Sequence, residues 1–353
     1  MNVVHLITTI DRGGAETQLL TLVTEQIRQG KQVKVIYLKG APALEAEFLA
    51  AGAEVVRALA NRNLVFQLAN LKRAIGSDFQ VVHCHLPRAE LLAACAMIHP
   101  FVVSRHNAEK FFPSGPKSIS RILSRFVVLR ASACVAISSA VKNFLISEKE
   151  VPAGYEINVV HYGIEISKFF TSSRRPFLKD NIRIGTISRL VPQKNLKLLL
   201  SGFQNLSKTK PESTLQIVGK GILEEELKKF AEELKIQSRL TWTTQVSNVP
   251  EFFQEIDVFC LTSNYEGFGL VLLESMAAGV PIISKANDAT LEVLGKNYPY
   301  FLWDDNPEVL SESILKLSNV EELERIRSMN LERLENFTTS HMEMRISDIY
   351  NLF

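Results

Sequence analysis

Short β-branched runs alternate with helix-length stretches along this chain, and the whole alternation occurs twice. In the first half, Val3–Thr8, Val33–Leu38, Val81–His85, Phe101–Ser104, Cys134–Ile137 and Ile157–His161 read as strands, with helical patterns such as Glu16–Gln29 and Leu64–Ile75 between them. The second half starts again with Ile182–Ile187, Leu215–Val218, Leu240–Trp242, Val258–Leu261 and Pro281–Ser284, separated by Asn195–Leu206, Leu223–Leu234 and Leu270–Ala278. Strands that alternate with helices predict parallel sheets covered on both faces. The expectation is an α/β chain of two facing Rossmann-like domains with a cleft between them. The first spans residues 1–170 and the second 176–335, joined in Ser167–Asp180 by a linker around Ser172-Ser173-Arg174-Arg175-Pro176.

Composition agrees with two soluble domains. The 353 residues are 46% hydrophobic and 22% charged, enough to bury a core without staples. A net charge of +2 does not describe a nucleic-acid binder, so no nucleic acid is expected as a partner. Cys84, Cys95, Cys134 and Cys260 form no C-x-x-C pair and read as buried free thiols in a reducing compartment. The N-terminus lacks a basic n-region, and the longest apolar stretch, Leu91–Ser104, is broken at His99-Pro100 and too short to cross a bilayer. A cytoplasmic protein is expected. Arg105, Lys110, Lys117, Arg121, Arg125 and Arg130, with only Glu109 against them, form a basic stretch in which Lys117, Arg121 and Arg125 recur every four residues, with Ile122, Leu123, Phe126 and Val127 opposite or beside them. That pattern suits peripheral docking on an anionic membrane surface, and equally a solvated helix face.

In doubly wound sheets, ligands bind beyond the carboxyl ends of the strands. Three segments there carry chemistry. Gly13-Gly14 opens a helix, where bare backbone N–H groups favour an anion; an ordinary tight turn would look the same. Gly185-Thr186-Ile187-Ser188-Arg189-Leu190 through Lys194-Asn195 puts a guanidinium and an ammonium around a helix start, a clamp for a diphosphate or simply two surface charges. Glu266 and Glu274 flank Gly267-Phe268-Gly269-Leu270, with Glu274 inside an apolar helix. A carboxylate is costly there without a partner, and vicinal sugar hydroxyls would supply one.

Together these segments resemble the family-4 retaining glycosyltransferases of GT-B architecture. The resemblance rests on the E-x7-E element followed by M-A-A-G-V-P, the G-T-I-S-R-L…K-N loop, G-G-A-E, A-I-S-S-A-V at 136–141 and H-Y-G-I-E at 161–165. It implies transfer of a sugar from a nucleotide-sugar donor, a UDP-sugar being favoured, to a glycan or lipid-linked acceptor in surface-polysaccharide or lipopolysaccharide assembly. No metal and no other cofactor would be needed. Arg189 and Lys194 would hold the donor diphosphate, Gly13 and Gly14 would approach it, and Glu274 would bind the ribose. Glu266 would face the sugar, with Gly267, Phe268, Gly269 and Leu270 around it. Gly219 would line the same cleft, and Thr244, Gln245 and Val246 would read the base. The family's histidine after a strand of the first domain is here His106, expected with Glu266, Arg189 and Lys194 in the catalytic set. His85 and Arg105 are placed on the acceptor side. His83 and His85 share a strand face, but neither H-E-x-x-H nor a cysteine pair accompanies them, so no metal site is expected. From about Asn336 the chain would cross back onto the first domain through Ile346, Ile349, Tyr350 and Phe353.

The chain departs from the family pattern at Tyr162, where asparagine is common, and at Lys285-Ala286-Asn287-Asp288-Ala289, where paired glycines are common. A nicotinamide dehydrogenase is disfavoured, because the full G-x-G-x-x-G fingerprint is missing. A non-catalytic sugar-nucleotide binder and another GT-B enzyme, such as an epimerase, are the alternatives.

Overall fold

A computed structural model describes residues 1–169, 180–246 and 248–353; the expected linker around Ser172–Pro176 lies outside the described residues. The chain divides into two units, Met1–Ile164 with Phe337–Phe353, and Glu165–Asn336.

The first unit holds a seven-stranded sheet: β1 (Asn2–Ile7), β2 (Gln32–Tyr37), β3 (Glu54–Val56), β4 (Val81–His85), β5 (Phe101–Arg105), β6 (Ala133–Ala136) and β7 (Asn158–Val159). Their spatial order is β3-β2-β1-β4-β5-β6-β7, and every pairing is parallel. β1 and β4 run as near-continuous buried runs, as expected for a sheet covered on both faces. The second unit has β8 (Arg183–Ile187), β9 (Thr214–Val218), β10 (Leu240–Thr243), β11 (Val258–Leu261), β12 (Ile282–Lys285) and β13 (Phe301–Leu302), in the order β10-β9-β8-β11-β12-β13. Each sheet winds outward from its first strand and then reverses, between β1 and β4 in one and between β8 and β11 in the other. Loops leaving the carboxyl ends on either side of a reversal diverge and leave room for a ligand.

The C-terminal helix Thr339–Tyr350 belongs to the first unit. Thr338 caps it by accepting from His341 N at 3.2 Å, and Met342, Ile346, Ile349 and Tyr350 are buried. Glu343, 1% exposed, pairs with Lys31, and Ser340 donates to Glu25 at 2.9 Å, so the helix is tied to the helix Gly14–Arg28 and its end. Phe353, expected in this packing face, is instead half exposed, because the helix ends at Tyr350. Of the cysteines, Cys84, Cys134 and Cys260 are buried as expected; Cys95, at the end of the helix Pro87–Cys95, is exposed. No helix among the described residues is long and apolar enough to cross a membrane.

Ile346 is 3% exposed against this first-unit core. Ile346→Ala should cost about 2–4 kcal/mol by deleting buried methylene groups and leaving a cavity. Chemical denaturation checks this, and an unchanged midpoint would show that the C-terminal helix is not an integral part of the unit.

Candidate active site

In the second unit, the loops after β8 and β11 leave the sheet at its reversal point. After β8 the chain runs through Ser188 and Arg189 into the short 3-10 turn Pro192–Lys194, and Asn195 in a left-handed conformation (φ 45°) turns it into the helix Leu196–Thr209. After β11 come Asn264, Tyr265 and Glu266, and then the helix Leu270–Ala277. Gln193 joins the two loops: its backbone oxygen accepts from Asn264 N at 2.9 Å, and its side-chain amide donates to Tyr265 O at 2.7 Å. Thr262 Oγ1 donates to Lys194 O at 2.9 Å.

Across this bridge Lys194 Nζ donates to Glu266 Oε1 at 2.6 Å, with the two side chains 12% and 10% exposed. A partly desolvated pair at this distance attracts far more strongly than an exposed surface pair. Arg189 Nη2 donates to Gln193 Oε1 at 3.3 Å, so the second cation stands on the same loop. Lys285, in the stretch that departs from the family pattern, donates to Asn264 Oδ1 at 2.7 Å and pairs with Asp305, to which Asn195 also donates at 3.0 Å. Asn287 starts the next helix with a capping box to Thr290. The unusual stretch therefore braces the loop that carries Glu266.

Gly269 sits at φ 87° as the cap of the helix Leu270–Ala277, accepts from Leu272 N at 2.8 Å, and brings no side chain over the helix start. Glu274 lies one turn into that helix, and burial pushes its carboxyl from 4.5 up to about 7. Phe268 is buried at the helix start. On the other side of β8, Gly219 donates to Thr243 O at 2.7 Å, at φ 145°, and a Cβ there would stand 1.8 Å from Ser188 O. Only glycine lets this turn lie against the Ser188–Arg189 loop. Thr244, Gln245 and Val246 follow directly at the edge of the sheet, exposed or half-buried. The structure thus brings Arg189, Lys194, Glu266 and the Gly267–Leu270 turn together, with Gly219 beside the Arg189 loop.

In the first unit, Gly13 caps the helix Gly14–Arg28, Gly14 has open space where a side chain would stand, and Glu16 accepts from Thr9 at 2.7 Å. His106 follows β5 and is half-buried. Its Nδ1 lies 2.6 Å from Tyr162 Oη and its Nε2 lies 3.0 Å from His85 Nδ1. Burial, assisted by Arg105, lowers its pKa to about 4.

Two acceptor-side expectations meet a different arrangement. His85 is 2% exposed and both its ring nitrogens are engaged, with His106 and with His5, so it backs His106 from within the unit. Arg105 is buried against Glu90 at 3.0 Å, with Glu150 at 3.8 Å and the Phe111 ring at 4.5 Å. It neutralises buried carboxylates, and burial still raises Glu90 to about 7.

His5 and Gln26 escaped the reading of the sequence. The register that sets His5 beside His83, with period-two alternation, puts His5, His83 and His85 on one face of the sheet. Their nearest ligand atoms lie within 4.8 Å of one another, but His5 and His85 bond each other, His5 also meets Gln26, and His83 meets Tyr350 and Ser104 at 2.7 Å each. A cation would have to displace these bonds.

With this geometry in view, comparison with known proteins is direct. The Glycosyltransferase Family 4 profile matches residues 12–168 and the Glycosyl transferases group 1 profile residues 168–332. The chain thus carries a Glycosyltransferase Family 4 domain followed by a group 1 glycosyltransferase domain, and its fold is GT-B. It is 24% identical over 300 residues to the putative glycosyltransferase EpsF of Bacillus subtilis, covering 80% of this chain and 78% of EpsF. It is 26% identical to the Escherichia coli UDP-Gal:alpha-D-GlcNAc-diphosphoundecaprenol alpha-1,3-galactosyltransferase over 59% of this chain and 58% of that one. Anabaena HepE, solved in complex with UDP and glucose, superposes with a TM-score of 0.82 at 17% identity, each chain covered completely.

Two outcomes follow from this geometry. Gly219→Ala must push the turn away from Ser188, a loss of about 3 kcal/mol at the upper end for single substitutions, visible as an earlier thermal transition. For Glu274, the folded carboxyl at about 7 lies above its unfolded value of 4.5, so folding takes up a proton between them. Its contribution is complete below pH 4.5 and is lost as pH rises through 7. In ligand-free protein, Glu274→Gln should therefore raise the melting temperature at pH 8 relative to wild type and leave it nearly unchanged at pH 4.5; equal shifts at both would contradict the assignment.

Proposed function

We propose that this glycosyltransferase moves a sugar from a nucleotide-sugar donor, a UDP-sugar by preference, to a glycan or lipid-linked glycan of the cell surface, with retention at the anomeric carbon and without a metal. The observation that carries the reading is the Lys194 ammonium held at the β8–β11 reversal with Arg189 on the same loop. Fixed cations there would meet the charge that grows on a departing diphosphate, which is electrostatic catalysis by preorganised groups. That charge is met by side chains, so a divalent cation is dispensable.

In the reaction proposed, the bond between the anomeric carbon and the diphosphate oxygen breaks as the acceptor oxygen bonds to the same face of that carbon. The acceptor proton passes to the leaving phosphate oxygen. Glu274 would take the ribose hydroxyls, Glu266 the transferred sugar, and Thr244, Gln245 and Val246 the base. Gly13 and Gly14 would approach the donor phosphate, and His106 would guide sugar hydroxyls. The preference for UDP is supported by HepE, solved with UDP and glucose, and by the galactosyltransferase whose name specifies UDP-Gal. The name of the latter's acceptor, a diphosphoundecaprenol, supports the lipid-linked class.

A location in the cytoplasm, peripheral to an anionic membrane, is part of the same proposal. The helix Lys117–Val128 buries Ser120, Ser124, Val127 and Val128 but leaves Ile119 and Ile122 exposed. Phe112 and Leu129 are exposed in sequence on either side of it, and Lys117 (paired with Glu148), Arg125 and Arg130 are exposed on or next to the same helix.

With EDTA present, one class of nucleotide sugar should raise the melting temperature and give an α-configured product from an α-linked donor. Lys194→Ala or Arg189→Ala should lower turnover by about 100-fold or more. An inverted product would remove retention, dependence on added metal would remove metal independence, and near-normal turnover in both variants would remove the clamp. For the membrane, vesicles containing phosphatidylglycerol should bind wild type more tightly than phosphatidylcholine vesicles, and Ile122→Asp should abolish the difference; equal binding of wild type to both ends that part.

A further inference from the structure

Four hydrogen bonds run end to end through the first unit. They link Tyr162 Oη to His106 Nδ1 (2.6 Å), His106 Nε2 to His85 Nδ1 (3.0 Å), His85 Nε2 to His5 Nδ1 (3.0 Å) and His5 Nε2 to Gln26 Oε1 (2.8 Å). A neutral imidazole has one N–H and one lone pair, so each ring passes the direction of one bond on to the next. The far end sets that direction, because an amide oxygen only accepts. His5 must donate through Nε2, which leaves its Nδ1 to accept from His85 Nε2–H. His85 Nδ1 then accepts from His106 Nε2–H, and His106 Nδ1 accepts from the Tyr162 hydroxyl. Turning the Gln26 amide over would present N–H groups to His5 and reverse the whole series.

The chain is sealed. Gln26 and His5 are fully buried, and His85 is 2% exposed. The rings are held neutral: burial lowers His5 to about 4, opposed by Gln26 and assisted by Lys31, and it drives His85 well below the usual range. Neutral rings are the condition under which a one-way series of N–H···N bonds has a single arrangement.

The geometry points to Gln26 and His5 as positioning residues that, through His85, fix His106 as its Nε2–H tautomer. This deepens the glycosyl-transfer reading and rests on it for the consequence. In that tautomer Nδ1 is a lone pair that receives the hydroxyl hydrogen of Tyr162, or of a sugar hydroxyl that takes its place. In the other tautomer the same nitrogen would present a donor, and a hydroxyl could reach it only as an acceptor. Neither Gln26 nor His5 touches His106, so their effect on it travels through bond direction alone.

The test reads the tautomer itself. In protein labelled with 15N-histidine, long-range proton–nitrogen correlation distinguishes pyrrole-type from pyridine-type ring nitrogens, with assignment by single His→Gln variants. Wild type should show His5, His85 and His106 each as a single Nε2–H form. Gln26→Met, which removes the terminal acceptor, should give His106 a mixture of tautomers and lower kcat. Gln26→Glu, which keeps an acceptor oxygen, should restore the single Nε2–H form. An Nδ1–H form of His106 in wild type overturns the proposal, as does an unchanged single form in a folded Gln26→Met. Should Gln26→Met fail to fold, the wild-type spectrum decides by itself. Failure of sugar transfer leaves this readout intact, so the two ideas fail separately.

Discussion

Lys194 and Glu266 belong to loops 72 residues apart in sequence, and their 2.6 Å contact is where the second unit's sheet becomes a site. The contact exists because β8 and β11 are neighbours although two strands, β9 and β10, separate them in the chain. Strand order creates the opening, and the Gln193 bridge, the left-handed Asn195 and the helix start at Gly269 then deliver the side chains into it. A cation and a carboxylate in contact at 12% and 10% exposure satisfy each other where little water reaches either.

The first unit solves a different problem with the same topology. Its sheet face between β1, β4 and β5 carries imidazoles where apolar side chains would be cheaper. Burying them is tolerable because each ring is neutral and hydrogen-bonded. Deeper in the unit, Arg105 does the corresponding work for Glu90 and Glu150. The C-terminal helix closes this unit, and its Tyr350 bonds His83, so the last turn of the chain takes part in the buried polar layer.

Much of this was legible in the sequence, for identifiable reasons. Two rounds of strand and helix gave the two parallel sheets, and chemistry-bearing residues placed just after strands gave Lys194 and Glu266, whose side chains meet at the β8–β11 reversal. The short edge strands Glu54–Val56 and Phe301–Leu302 were missed, because three and two residues are too few to show a period. The partners of Arg105 and His85 were out of reach for a deeper reason. A sequence shows what a side chain can offer, but not which distant partner has already taken it, here Glu90 in one case and His5 in the other. His5 becomes visible only once the β1–β4 register is known, and Gln26 only once the helix Gly14–Arg28 is laid over that face. Cys95 was misread because apolar neighbours in sequence do not decide which way the end of a helix faces.

The central claim is that the cation at the β8–β11 reversal binds a nucleoside diphosphate. Calorimetric titration of UDP into wild type, Lys194→Met and Glu266→Gln, at fixed ionic strength and with EDTA, tests it most directly. The account predicts binding to wild type, at least about tenfold weaker binding to Lys194→Met through the lost charge-assisted contact, and no loss in Glu266→Gln, whose carboxylate is proposed to face the sugar that UDP lacks. Equal affinity for UDP in wild type and folded Lys194→Met would contradict it.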